Sequence, residues 1–111
     1  MTEFEVVHSR AIRRFQDRIM DGQELVAFDL FFGRLKREPG GDGRKEFAHR
    51  GPRRTLHFSY YVSRKLRTVI VLMGYQARAG EPRTGELKDE QELLAAIHHK
   101  ESDYERGIET A

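Results

Sequence analysis

His57, Tyr61 and Arg78 are the side chains whose types and spacing could act on a phosphodiester. The first is an imidazole, a side-chain type suited to proton transfer, the second a phenol, the third a permanently charged guanidinium. They fall in or just after two segments, Thr55–Val62 and Arg67–Gln76, that are rich in Val, Ile, Tyr, Phe and Thr. Such composition predicts two β-strands. The polar stretch Ser63-Arg64-Lys65-Leu66 is the turn expected between them, pairing Val62 with Arg67, Tyr60 with Val69 and Phe58 with Val71. Side chains alternate faces along a strand. One face then carries Leu56, Phe58, Tyr60, Val62, Val69, Val71 and Met73. The other carries Thr55, His57, Ser59, Tyr61, Thr68, Ile70 and Leu72, with Gln76 and Arg78 continuing it unless a bulge near Gly74 shifts the last. His and Tyr on a strand face serve equally well as half-buried packing, so both readings stand at this point.

The charge pattern favours an anionic partner. Net charge is only +2, but residues 1–85 hold 17 Lys/Arg against 10 Asp/Glu, and residues 86–111 hold 3 against 8. Within 34–67 the balance is 11 basic to 3 acidic residues, a stretch that includes Arg50, Arg53, Arg54, Arg64 and Lys65. A basic body with an acidic tail suits a polyanion, or else a well-solvated surface. Arg50, Arg53 and Arg54 flank the turn at Gly51-Pro52 and read as the entrance to an anionic surface or as a mobile loop. No cysteine is present, which excludes disulfides and thiolate metal sites. His98 and His99 are neighbours on a helical stretch and point about 100° apart, so no metal site is expected. No apolar stretch approaches the roughly 20 residues of a membrane span. MTEFEVV lacks the layout of a signal peptide, so a cytoplasmic protein is expected.

The elements that must position these residues follow from periodicity. Glu3–His8 reads as a short strand. Ser9 is placed to cap a helix over Arg10–Met20, with Ile12, Phe15 and Ile19 on one face and Arg10, Arg14 and Arg18 at four-residue steps on the other. That ladder could follow a phosphate backbone or simply face water. Asp21 and Glu24 have capping-box spacing before a second helix over Gln23–Arg37. Its core stripe is Leu25, Phe28, Phe32 and Leu35, widened by Val26, Leu30 and Phe31. Pro39-Gly40-Gly41 ends it. Lys45–His49 is a candidate short strand. Ala79–Gly85 is a turn-rich linker, and a third helix is expected from Leu87 or Asp89 to Glu105, with Asp89 and Glu92 as a second box. Its acids Glu101, Asp103 and Glu105 could fold back on the basic surface.

The order strand, helix, helix, strands, helix resembles the RelE/ParE toxin superfamily. So does the run Tyr60-Tyr61-Val62…Val69-Ile70-Val71-Leu72-Met73-Gly74-Tyr75-Gln76-Ala77-Arg78…Pro82…Glu86 before a helix reaching Asp103-Tyr104. The likeness is greatest to its HigB-like branch. It implies an α+β, RelE-like fold over residues 1–106: an antiparallel β-sheet with an N-terminal helical hairpin on one face and a C-terminal helix, then a frayed tail at 107–111. The function it implies is the toxin of a type II toxin–antitoxin system. Such a toxin is a ribosome-dependent endoribonuclease in which the 2′-OH attacks the adjacent phosphate, with neither metal nor cofactor. Its partners would be mRNA on the ribosome and a cognate antitoxin.

The family's active-site basics map onto Arg78 and Gln76 after the last strand, and onto Arg53, Arg54 and His57 before and within the earlier one. Tyr61 and Tyr75 map as base-stacking residues. The catalytic set implied is therefore His57, Arg78 and Arg54. The RNA-binding set is Arg50, Arg53, Tyr61, Arg64, Lys65, Tyr75 and Gln76. Two positions depart from the pattern. Met73 stands where HigB-like members often carry histidine, and Ala77 where lysine is frequent, which leaves His57 as the candidate for proton transfer. The second class of function is a non-catalytic binder, either a ParE-like gyrase inhibitor or an RNA-binding module.

Overall fold

The computed structural model describes residues 3–77 and 87–110, with residues 77, 87–89 and 103–110 described by backbone alone. Along the chain lie β1 (Glu5–His8), α1 (Arg10–Arg18), α2 (Gly22–Leu35), β2 (Gly43–Arg50), β3 (Thr55–Ser63), β4 (Thr68–Ala77) and α3 (Leu87–Thr110). The strands form one sheet in the order β1-β4-β3-β2. β2, β3 and β4 pair antiparallel, whereas β1 joins β4 in parallel. That arrangement sends the α1–α2 hairpin across one face of the sheet, from the β1 edge to the β2 edge. β2 is longer than the strand expected at Lys45–His49, and α3 continues past Glu105 to Thr110. The linker Ala79–Gly85, the side chain of Asp89 in the second capping box, and the side chains of Asp103, Tyr104 and Glu105 lie outside the described residues. No helix among the described residues is long and apolar enough to cross a membrane.

Both helix starts are capped as their sequences require. The Ser9 hydroxyl accepts from the Ile12 N–H at 3.1 Å and donates to the Leu72 carbonyl. Asp21 and Glu24 form a complete capping box, each side chain accepting from the other's backbone N–H at 2.9 Å. Beneath the hairpin, Ile12, Phe28, Phe32 and Leu35 pack on Leu56, Phe58, Tyr60, Val62, Val69 and Val71. Aromatic rings meet at 4.5 Å for Phe28–Phe32 and 5.1 Å for Phe28–Phe58. Val26 and Leu30, expected to widen the core stripe of α2, are instead 58% and 67% exposed. Each is two residues from Phe28, a rotation of about 200° that turns it away from the sheet.

The β3–β4 hairpin departs from the expected register by two residues. Ser63 pairs with Thr68 and Val62 with Val69, so the turn is Arg64–Arg67. The reason is local. Arg67 adopts φ +50°, a turn conformation that cannot continue a strand, and Ser63 is fully buried at the strand's end. A bulge then separates Ser59↔Met73 from Tyr60↔Val71 and leaves Leu72 as the extra residue. Beyond it the alternation of β4 inverts. Met73 joins Tyr61 and Leu72 on the second face rather than meeting the α1–α2 hairpin, while Gly74 turns toward α1. The Ser9 N–H and hydroxyl bond the Val71 and Leu72 carbonyls, so the start of α1 is bolted to the bulge.

A Cβ at Gly74 would stand 2.8 Å from Phe15 Cδ1 and 3.0 Å from Ile12 Cδ1. Gly74→Ala should therefore cost about 1–3 kcal/mol in a urea melt, and Phe15→Leu in that background should recover part of the loss. A second expectation concerns His8, half-buried with its ring 5.4 Å from Phe28. Burial, and then Arg13, hold its pKa below the ordinary histidine value. The unfolded chain therefore binds the proton first. This contribution to stability is complete above about pH 6.5 and declines as pH falls toward the folded value. His8→Phe should flatten the fall in melting temperature between pH 7.5 and 5.5.

Candidate functional site

The second face of the sheet is built from alternate residues of three strands. β3 contributes His57, Ser59, Tyr61 and Ser63; β2 contributes Arg44 and Glu46, opposite Tyr61 and Ser59; β4 contributes Tyr75, opposite His57. The bulge decides the last of these. With Leu72 as the extra residue, Tyr75 turns onto the face of His57, and the two rings stack at 4.8 Å with 9° between their planes. This end of the face is half-exposed.

The other end lies under α3, whose Leu93, Leu94 and Ile97 pack on Tyr61, Leu72 and Met73. Polar contacts pin the helix there. Glu101 accepts from the Tyr61 hydroxyl at 3.2 Å and from the Ser63 hydroxyl at 2.8 Å, with His98 Nδ1 3.2 Å away. Glu90, 2% exposed, pairs with Arg44, which also bonds Glu46 at 2.9 Å. Burial, followed by the negative charge of Glu101, pushes the Tyr61 phenol above its ordinary pKa. The acidic helix does fold back on the sheet, but among the described residues Glu101 meets two hydroxyls and His98 rather than an arginine. Ser59 lies on this face as the strand alternation predicts, whereas Ser63 and Glu90 are site-face residues that sequence reasoning missed. Only the charge excess of the tail hinted at Glu90. The Ser59 hydroxyl is buried without a hydrogen-bond partner among the described residues.

At the His57 end of the sheet the chain gathers its basic residues. Arg50 pairs with Thr55 and is exposed, Arg53 is exposed, and Arg54 precedes β3. With His49, Gln23 and Glu24, Arg53 and Arg54 line a cleft of about 310 Å³. Arg54 is the brace of this corner. Its Nε donates to Glu24 Oε2 at 3.0 Å, Nη2 donates to Glu24 Oε1 and to the Ile19 carbonyl at 2.6 Å, and Nη1 donates to Gln76 Oε1 at 2.8 Å. The Arg54 hydrogen bonds hold the Glu24 carboxyl below the usual carboxylate range, outweighing its burial. The inversion after the bulge accounts for Gln76, which extends toward Arg54 rather than lying on the His57 face. Arg64 and Lys65 occupy the opposite end of β3, about 30 Å along the strand. There Arg64 bonds the Gly40 carbonyl and lies 5.9 Å over the Phe4 ring. Arg78 lies outside the described residues. No group of three metal-ligating side chains occurs among the described residues.

This architecture has counterparts among solved structures. A mutant of E. coli toxin RelE in the free state superposes with a TM-score of 0.54 at 15% identity, covering 72% of this chain and 88% of that one. The fold is RelE-like. The toxin–antitoxin complex RelBE2 of Mycobacterium tuberculosis also matches, with a TM-score of 0.49 and 21% identity over 69% of this chain and 94% of its own. No family model matches the chain, and no curated protein does.

The Arg54 brace yields a measurable expectation. Arg54→Met strands a carboxylate that is 7% exposed and should cost about 2–3 kcal/mol, discounted because 28% of the arginine side chain remains in water. Glu24 contributes stability that is present above the ordinary glutamate pKa of about 4.3 and is lost as pH falls through its lower folded value. In urea melts from pH 6 to pH 3, the variant should lose less stability on acidification than the parent.

Proposed function

We propose that this chain is the toxin of a type II toxin–antitoxin pair, an endoribonuclease that cuts mRNA on the ribosome and therefore acts in the cytoplasm. The observation that carries the reading is the His57–Tyr75 stack on a RelE-like sheet, half-exposed and at the same end of the sheet as Arg50, Arg53 and Arg54. Tyr75 in the Gly74-Tyr75 pair supports the HigB-like branch in particular. The reaction needs no external nucleophile. The ribose 2′-oxygen attacks the adjacent phosphorus as the bond from phosphorus to the 5′-oxygen breaks, leaving a 2′,3′-cyclic phosphate and a free 5′-hydroxyl.

One proton must leave the 2′-OH and one must reach the departing 5′-oxygen. His57 is the group assigned to that exchange, because an imidazole carries two ring nitrogens, one able to accept a proton and the other to donate one. Arg53 and Arg78 are assigned to the developing charge on phosphorus, with Arg50 on flanking phosphates. Arg54 acts through its bonds, holding Gln76 and the start of α2 at the edge of the site. Tyr75 and Tyr61 are assigned to base stacking. α3 covers Tyr61, so RNA that reaches that ring must displace or skirt the helix. The protein partner is an antitoxin that covers this surface.

Primer extension on a reporter mRNA in a cell-free translation reaction tests the reading. New 5′ ends inside translated codons should appear only with ribosomes present. His57→Ala and Arg78→Ala should each reduce them by about a hundredfold or more. Intact mRNA with wild-type protein would overturn the nuclease assignment and point to the non-catalytic alternative, to be examined by gyrase supercoiling and by salt-dependent RNA binding.

A further inference from the structure

The cleft at the basic corner is lined by Asp21, Gln23 and His49, which the proposed chemistry does not use. His49 pairs with Leu56, a core residue beneath the helical hairpin, so the cleft opens on the helical side of the sheet, opposite to His57. Its volume of about 310 Å³ lies at the lower end of the range for small-ligand sites. Two of its ionic groups are already engaged. Both Glu24 oxygens accept from Arg54, and Oε1 also accepts from the Asp21 N–H. What remains is one carboxylate, one amide, one imidazole and one guanidinium. Asp21 caps α2 with one oxygen, and its other oxygen makes no hydrogen bond among the described residues. The side chains of Gln23, His49 and Arg53 make none there either.

We propose that this cleft binds a guanine nucleotide, either a free mononucleotide or one guanosine of an RNA strand. The available carboxylate selects the base. Guanine presents two adjacent donors, N1–H and the 2-amino group, which match the two oxygens of Asp21. Its O6 accepts from the Gln23 amide. Adenine would set a ring lone pair against the carboxylate, and uracil and cytosine lack the paired donors. Pro52 and the His49 ring supply flat-sided lining on which a base can lie. Arg53, exposed at the mouth, is left for the phosphate. A bare anion would use Arg53 but meet the charge of Asp21, and this favours a ligand that brings donors together with its negative charge. The site does not depend on the nuclease reading, because His57 and Tyr75 lie on the other face of the sheet. Arg53 alone is common to both.

An amide NMR titration of the intact chain provides the test, with GMP, IMP and AMP as probes. GMP should saturate and shift the amides of Gln23, Gly51 and Arg53 while leaving those of Ser59 and Tyr75 in place. IMP, which lacks the 2-amino group, should bind about tenfold more weakly, and AMP more weakly still. Asp21→Asn keeps a favourable capping residue for α2 but removes the carboxylate, so it should weaken GMP about tenfold or more and leave AMP unchanged. Gln23→Ala, at an exposed position, should also weaken GMP, and circular dichroism of both variants separates these losses from unfolding. L-Arginine, which carries comparable donors and an anion without a flat ring, should compete poorly. A uridine oligomer holding one guanosine distinguishes the sources. Tighter binding than GMP assigns the nucleotide to RNA, and weaker binding assigns it to the free pool; either result sustains the guanine site. The proposal is overturned by absent saturation, by equal binding of AMP or L-arginine, by indifference of GMP to Asp21→Asn, or by shifts at Tyr75 in place of Gln23 and Gly51. Cleavage is not read in this assay, so a chain that separates GMP from AMP yet leaves mRNA intact would sustain this proposal and sink the nuclease reading.

Discussion

The Glu24–Arg54 pair is the interaction on which the geometry of this protein turns. One buried carboxylate closes the capping box of α2 through the Asp21 N–H and receives two nitrogens of Arg54 from the start of β3. The same guanidinium reaches the Ile19 carbonyl at the end of α1 and the Gln76 amide on β4. Four segments thus meet at a single planar cation. A buried charge pair is rarely a large net source of stability, because desolvation offsets the attraction. What it provides here is placement. It sets the helical hairpin against the strand that carries His57, and it leaves Arg53 and His49 facing the cleft beside it.

The β4 bulge is the second constraint, and it is coupled to the first helix. Leu72 is the extra residue, its carbonyl is taken by the Ser9 hydroxyl, and Ser9 in turn caps α1. Two consequences follow from one inserted residue. Tyr75 stacks on His57, and Met73 becomes a floor beside the arginine row of α1. Gly74 completes the arrangement, because any Cβ would collide with the Phe15 ring.

α3 gives the sheet's second face its present character. Among the described residues, Leu93, Leu94 and Ile97 give this helix its apolar seat, and polar contacts join it to Tyr61, Ser63 and Arg44. Such polar seats are sensitive to competing donors and acceptors in a way that an aliphatic seat is not. The Ser59 hydroxyl, between His57 and Tyr61 along β3, is buried on the same strip with no hydrogen-bond partner among the described residues.

Sequence alone determined the elements and most of the core. β-Branched and aromatic composition marked β3 and β4, the 3.6-residue stripe of Phe28 and Phe32 marked α2, and Ser9 and Asp21-Glu24 marked both caps. These are local signals written within a few residues of one another. It also marked the basic corner at Arg50–Arg54 and the histidine at the centre of the proposed chemistry. The register of the hairpin, the position of the bulge and the company each arginine keeps were decided by tertiary structure. Arg67 in a left-handed turn moves the β3–β4 pairing by two residues, and one extra residue at Leu72 exchanges the faces of Met73 and Gly74, Tyr75 and Gln76. Strand alternation has a period of two, so a single inserted residue reverses every side chain after it. Gly74 hinted at a bulge in this part of β4, but its placement at Leu72 is set by pairing with β3, which the local sequence does not record.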